Sequence, residues 1–154
     1  MDNKNPFFLA AILALLSLTL LAACQTSPGP EIVIEEAWGR PSPQVAPAGA
    51  FYMTVINRGN QTDNLVSAFS PSCGVVELHE SYDKGEGVMG MRPVEGGVIP
   101  VPAQDRVALK MGGLHLMCID KLDDFQEGAR QSVTLSFEVS GEKTVDVEIR
   151  QPED

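Results

Sequence analysis

The chain has little of what most binding and catalytic chemistry uses. Histidine occurs twice in 154 residues, tryptophan once and cysteine three times. Lysine and arginine total 11 against 21 aspartates and glutamates, a formal net charge of -10, and the basic residues form no cluster. Nucleic-acid surfaces take their affinity from clustered cations set against phosphates, so no nucleic-acid partner is expected. The acidity otherwise reads as a solvated surface. Catalysis at a metal needs an acid–base group poised beside it, and the carboxylates near the histidines, Glu77, Glu80 and Asp83, read as a solvated strand edge. An enzyme is not expected. Internal repeats are absent, and so are low-complexity tracts beyond the first thirty residues or so.

Long apolar runs are also scarce. The main one, Pro6 to Ala23, is broken only by Ser17 and Thr19 and ends in two small residues. It is short and close to the N-terminus, as in a signal peptide rather than a finished transmembrane span. Leu21, Ala22, Ala23 and Cys24 resemble the lipobox of bacterial lipoproteins, in which cleavage precedes the cysteine and its sulfur receives a diacylglycerol. Residues 1–23 are therefore expected to be a signal peptide and Cys24 the lipidated first residue, with residues 24–30, rich in Ser, Pro and Gly, as a tether. Each buried acyl methylene contributes about 0.8 kcal/mol, so several chains on one residue anchor stably. The expected location is extracytoplasmic, on the cell membrane, facing the periplasm or the cell exterior. Residues 31–154 suffice for one domain with a real core and not for two. Cys73 and Cys118 remain, in an oxidising compartment; a disulfide and two buried thiols both stay open.

From Glu31 onward apolar residues recur with period two, interrupted by Gly, Pro, Asn or Asp, which predicts an all-β Greek-key sandwich or barrel. The clearest strand is Ser132–Val139, with Val133, Leu135, Phe137 and Val139 on one face. Ser140–Lys143 reads as the turn into a partner carrying Val145, Val147 and Ile149. Earlier strands are expected at Ile32–Trp38, Gly49–Asn57, Asn64–Phe69, Val75–Glu80, Val88–Val94, Arg106–Lys110 and Leu114–Ile119, and a helical turn at Asp123–Gly128.

Both histidines fall in strand-like segments accompanied by methionine. Residues two apart in a strand share a face, so His115 and Met117 present an imidazole and a thioether side by side while Leu114 and Leu116 turn inward. Met89 and Met91 are paired by the same spacing, and Ser81–Gly87 reads as the loop that lays their strand beside His79. Met53 and Met111 read as core filler. Imidazole with thioether sulfur selects Cu(I); thioether is a poor ligand for zinc, calcium or magnesium. The choice suits an oxidising space where thiolates are lost to disulfides. Strand alternation turns Cys118 away from Met117, which removes it from the site and denies the set a blue-copper thiolate.

These segments resemble the bacterial periplasmic copper chaperones of the PCu(A)C type. The likeness runs from Ala37, Trp38, Arg40 and Pro41 through VELHE (Val76 to Glu80), VMGMRPV (Val88 to Val94) and LKMGGLHLM (Leu109 to Met117) to the last strand. It implies a cupredoxin-like, immunoglobulin-like β fold and copper ligation by His79, Met91, His115 and Met117. Two intervals are slightly longer than the family's, which leaves Met89 in reserve; Met91 is preferred because it precedes Arg92 and Pro93 as the family's ligand does. Where relatives commonly carry proline before the glycine pair, this chain has Met111, a substitution that could add a sulfur near the metal. The resemblance further implies Cu(I) delivery to the CuA centre of cytochrome c oxidase subunit II, alongside a thioredoxin-like copper protein, from a shallow, exposed site at one end of the sandwich. A copper-scavenging or storage lipoprotein, and a non-metal adhesion or assembly module, are the competing readings.

Overall fold

The computed structural model describes residues 29–152; the expected signal peptide, Cys24 and the expected tether through residue 28 lie outside them. Ten strands follow in order: β1 Ile32–Gly39, β2 Ala48–Asn57, β3 Asp63–Phe69, β4 Cys73–Asp83, β5 Met89–Pro93, β6 Ile99–Val101, β7 Asp105–Leu109, β8 Leu114–Lys121, β9 Arg130–Phe137 and β10 Gly141–Ile149. There is no α-helix among the described residues. Of the two expected forms the chain takes the barrel: neighbours run β4-β8-β2-β1-β10-β9-β3, and the pairing of Ala68 with Val76 returns β3 to β4 and closes the ring of seven. Closure leaves no open edge within the ring itself. Strands β5 and β6 are appended to β4 and β3.

Alternation explains the interior. Val133, Leu135, Val147 and Ile149 are fully buried, as are Phe51, Leu65 and Leu116. The interior also contains a Cys73–Cys118 disulfide that joins β4 to β8, and both cysteines are buried.

Three segments differ from expectation. Asp123–Gly128 forms no helical turn: Phe125 bridges to Ser42, and its ring is fully buried against Gly49, where an added Cβ would stand 2.5 Å from it. Burying that ring outweighs any local helical preference. The final hairpin turns earlier than Ser140–Lys143. Gly141, at φ +69°, already opens β10 opposite Phe137, and Val139 is exposed in the turn. The cause is Asp63, whose carboxylate accepts hydrogen bonds from the backbone N–H of Val139 at 2.9 Å and of Ser140 at 2.8 Å. The third difference is β4, which extends to Asp83, so only the tip of Ser81–Gly87 is loop. Glu80 is moreover paired on both sides, with Arg92 of β5 and Leu114 of β8, so it does not lie on a strand edge, whereas Glu77 pairs only with Met117 of β8 and Asp83, which is exposed, only with Met89 of β5.

Strands β7 and β8 lie in line along β2, with Leu109 opposite Met53 and Leu116 opposite Phe51. Between them Lys110–Gly113 leaves the sheet as a turn. It is closed by Lys110 N–H donating to the Leu114 carbonyl at 2.7 Å and Gly113 N–H to that of Lys110 at 3.1 Å. Gly112 sits at φ +72°, a conformation that favours glycine.

Candidate metal centre

His79 and His115 are direct cross-strand partners in the β4–β8 pair. Their neighbours Leu78 and Leu116 are buried in the core cluster, so the imidazoles project from the outer face of the barrel. The ring centroids are 5.9 Å apart. Both rings are covered: His79 is 9% and His115 2% exposed, and Tyr52 stands 6.3 Å from His115 between centroids. The open, shallow site expected from sequence is therefore corrected in part, since the nitrogens are buried and exposure is left to sulfur.

Met117 follows His115 on the same face of β8, opposite Glu77. On β5, Pro93 faces His79, Met91 faces Ser81 and Met89 faces Asp83. Met91 is thus diagonal to His79 and Met89 one step nearer the hairpin tip. A cavity of about 420 Å³ is walled by Tyr52, Ser81, Met91, Met111, His115 and Met117, with Arg40 to Pro43 at its side. Met89 does not reach the cavity wall. Neither does His79, whose ring stands beside that of His115. Met53, 2% exposed, is core as expected, whereas Met111, 42% exposed, is not the filler that the sequence suggested: the Lys110–Gly113 turn carries it out of the sheet to the cavity.

The hydrogen bonds of the two rings assign their tautomers. Nε2 of His79 lies 2.8 Å from Oε2 of Glu77, and a carboxylate only accepts, so the proton is on Nε2 and Nδ1 keeps its lone pair. Nδ1 of His115 lies 3.0 Å from the Gly113 carbonyl, so that ring donates through Nδ1 and keeps the lone pair on Nε2. The two bare nitrogens, His79 Nδ1 and His115 Nε2, are buried and have no hydrogen-bond partner. Leaving a buried polar atom unpaired costs about 1–3 kcal/mol. A metal ligand removes that cost, and histidines that bind metals usually donate their other N–H to a carboxylate or a backbone carbonyl. Burial holds His115 below the ordinary histidine pKa; the Gly113 carbonyl opposes this and His79 reinforces it. The Gly113 carbonyl also accepts from Ser81 N–H at 3.0 Å, which ties the turn to β4.

No three His, Cys, Asp or Glu side chains converge anywhere among the described residues. The thioethers of Met91, Met111 and Met117 line the cavity with His115, and imidazole with thioether sulfur is a donor set that suits Cu(I). Cys118 is engaged in the disulfide and buried, outside the set. Glu77 and Gly113, which hold the two imidazoles, are not among the residues that the sequence points to. The signal for Glu77 was its i, i+2 relation to His79; for Gly113 there was none, because a backbone carbonyl leaves no trace in residue identity.

The closed β-barrel is the fold of PCuAC domains. The copper-bound PCuAC domain from PmoF2 superposes with a TM-score of 0.63 at 26% identity, covering 79% of this chain and 93% of that one. The solution structure of CuI-DR1885 from Deinococcus radiodurans shares the fold, with a TM-score of 0.62 at 23% identity and 85% of each chain covered. Residues 32–149 match the family described as "Putative lipoprotein LpqE-like", and the chain belongs to that family. The relative RP573 of Rickettsia prowazekii is 28% identical over 117 residues, 74% of this chain; the match spans 64% of that protein's length. A Leifsonia xyli relative described as "Putative lipoprotein Lxx21020" is 29% identical over 135 residues, 84% of this chain and 78% of its own.

Proposed function

We propose that this protein is a lipid-anchored, extracytoplasmic carrier of Cu(I), bound by His79, His115, Met117 and Met91. The observation that carries the reading is the pair of complementary tautomers: two neighbouring buried imidazoles, each held by a hydrogen bond at one nitrogen and bare at the other. Met91 is preferred to Met89 because it lines the cavity with His115 and Met117. The copper-bound state of the PmoF2 domain supports the choice of metal.

Copper is cargo here, and its handling needs neither electron nor proton transfer. The buried imidazoles supply the fixed half of the coordination sphere. The thioethers are neutral ligands with no proton to displace, and Met91, 59% exposed on the appended strand β5, is the donor an acceptor meets first. Delivery to the CuA centre of cytochrome c oxidase subunit II, alongside a thioredoxin-like copper protein, is the role that the family resemblance suggests. A lipid on Cys24 holds the carrier at the membrane surface.

Titration of the reduced protein with Cu(I) against a chromogenic chelator tests the reading. Wild type is expected to compete for one equivalent and His115→Ala to lose the competition. Equal behaviour of the two proteins would show that the histidines merely pack. Incubation of the loaded protein with apo subunit II then separates delivery, seen as copper leaving the carrier, from storage, seen as retention. Cys24→Ser is expected to move the protein from the membrane to the soluble fraction.

A further inference from the structure

We infer that Met111 is an additional sulfur ligand of the same site, an alternate thioether that takes over Cu(I) when Met91 swings out toward an acceptor. The inference rests on the copper reading above and concerns how the ion is held during exchange.

Three thioethers, those of Met91, Met111 and Met117, wall the cavity with His115, and His79 stands beside His115. Two imidazoles and three thioethers are five donors, while Cu(I) takes at most about four. One sulfur is surplus, and the fold indicates which positions alternate. Met117 belongs to β8, paired on both sides by β4 and β2, and is the thioether least able to leave. Met91 lies on five-residue β5, paired to β4 alone and reached through a loop with Gly85 and Gly87 at positive φ. Its side chain is 59% exposed.

Met111, also on the cavity wall, lies in the closed Lys110–Gly113 turn. That turn is bound to the histidine strands by the Gly113 carbonyl, which accepts from both Ser81 N–H and His115 Nδ1–H. The position is 42% exposed and contributes nothing to the core cluster, so packing does not account for methionine there. An unbranched thioether with three rotatable bonds adapts readily to a moving partner. Exchange is balanced as written: a Cu–S bond to Met111 forms as the Cu–S bond to Met91 breaks, with no change in copper oxidation state and no proton released.

The test uses the full chain, wild type and the variants Met91→Leu, Met111→Leu and Met91→Leu/Met111→Leu. Leucine conserves volume well enough to keep the fold, which far-UV circular dichroism verifies. X-ray absorption counts sulfur neighbours of bound Cu(I), and chelator competition gives relative affinity. Met91→Leu is expected to retain the wild-type sulfur count and lose less than about tenfold in affinity, and the double variant to lose one sulfur and a further tenfold or more, about 1.4 kcal/mol per decade. The inference is overturned if Met91→Leu alone already lacks a sulfur and adding Met111→Leu changes neither readout. A wild-type protein that binds no Cu(I) overturns the copper reading itself, a result distinct from wild-type binding with an inert Met111.

Discussion

Glu77 stands two residues before His79 on β4, and its carboxylate accepts the Nε2 proton of that ring at 2.8 Å. This bond turns the Nδ1 lone pair toward whatever the site binds. Outer-sphere partners of this kind typically contribute 10–100-fold to metal affinity. Glu77→Leu is therefore expected to weaken Cu(I) binding by about one to two decades, and Glu77→Gln, which keeps an acceptor, by less. Competition with a chromogenic chelator measures both. Affinity unchanged in Glu77→Leu would show that the carboxylate is only a surface charge.

Metal should also stabilise the fold, because the bare nitrogens of His79 and His115 are buried without partners in the free protein. Ligand at a hundredfold over its Kd adds about 2.7 kcal/mol, a rise of several degrees in Tm for a domain of this size. Calorimetry with and without Cu(I) under reducing conditions reads the shift. His115→Ala is expected to show no shift with metal.

The disulfide joins the two strands that carry the histidines, across 45 residues of chain. A loop of that length corresponds to about 4 kcal/mol in the chain-entropy picture. Cys73→Ala/Cys118→Ala is expected to lower the midpoint of denaturant unfolding accordingly. Native wild-type protein without Cys24 should show no thiol reactive to an alkylating reagent, and one that labels before unfolding would contradict the bridge.

Acid stability should depend on Asp63. Its burial raises the carboxyl pKa, but the donors of Ser140, Val139 and Asn64 outweigh that and leave it below the ordinary aspartate value. A folded-state pKa below the unfolded one means that the stabilisation is fully present above the unfolded value, about 3.9, and disappears as pH falls through the folded one. Wild type and Asp63→Asn are expected to differ in unfolding free energy at pH 7 and to converge toward pH 2–3, which denaturant melts at the two ends of the range will show. A gap independent of pH would assign the effect to packing alone.

The part of the fold legible in the sequence is the part set by short-range alternation. Strands β9 and β10 could be read because Val133, Leu135, Val147 and Ile149 recur with period two and are all buried. Where one long-range bond competes with local pattern, the reading failed. Val139 continues the alternation of β9 but lies in a turn because Asp63, far upstream, holds its N–H. The local sequence around Phe125 suggests a helical turn because the residue's partner, Gly49, is remote in the chain. Short β6, Ile99–Val101, carries too few residues for a periodic signal.

The sequence alone determined the chemistry on offer: two histidines, a handful of thioethers, an acidic surface and period-two strands, all properties of residue type and spacing. Only the tertiary structure decided which of those donors meet. The β4–β8 register sets His79 opposite His115, the closed turn between β7 and β8 lifts Met111 out of the sheet, and Glu77 and the Gly113 carbonyl choose the nitrogen each ring leaves bare. Register, turn closure and hydrogen-bond geometry arise from contacts between segments distant in the chain, and no local pattern encodes them.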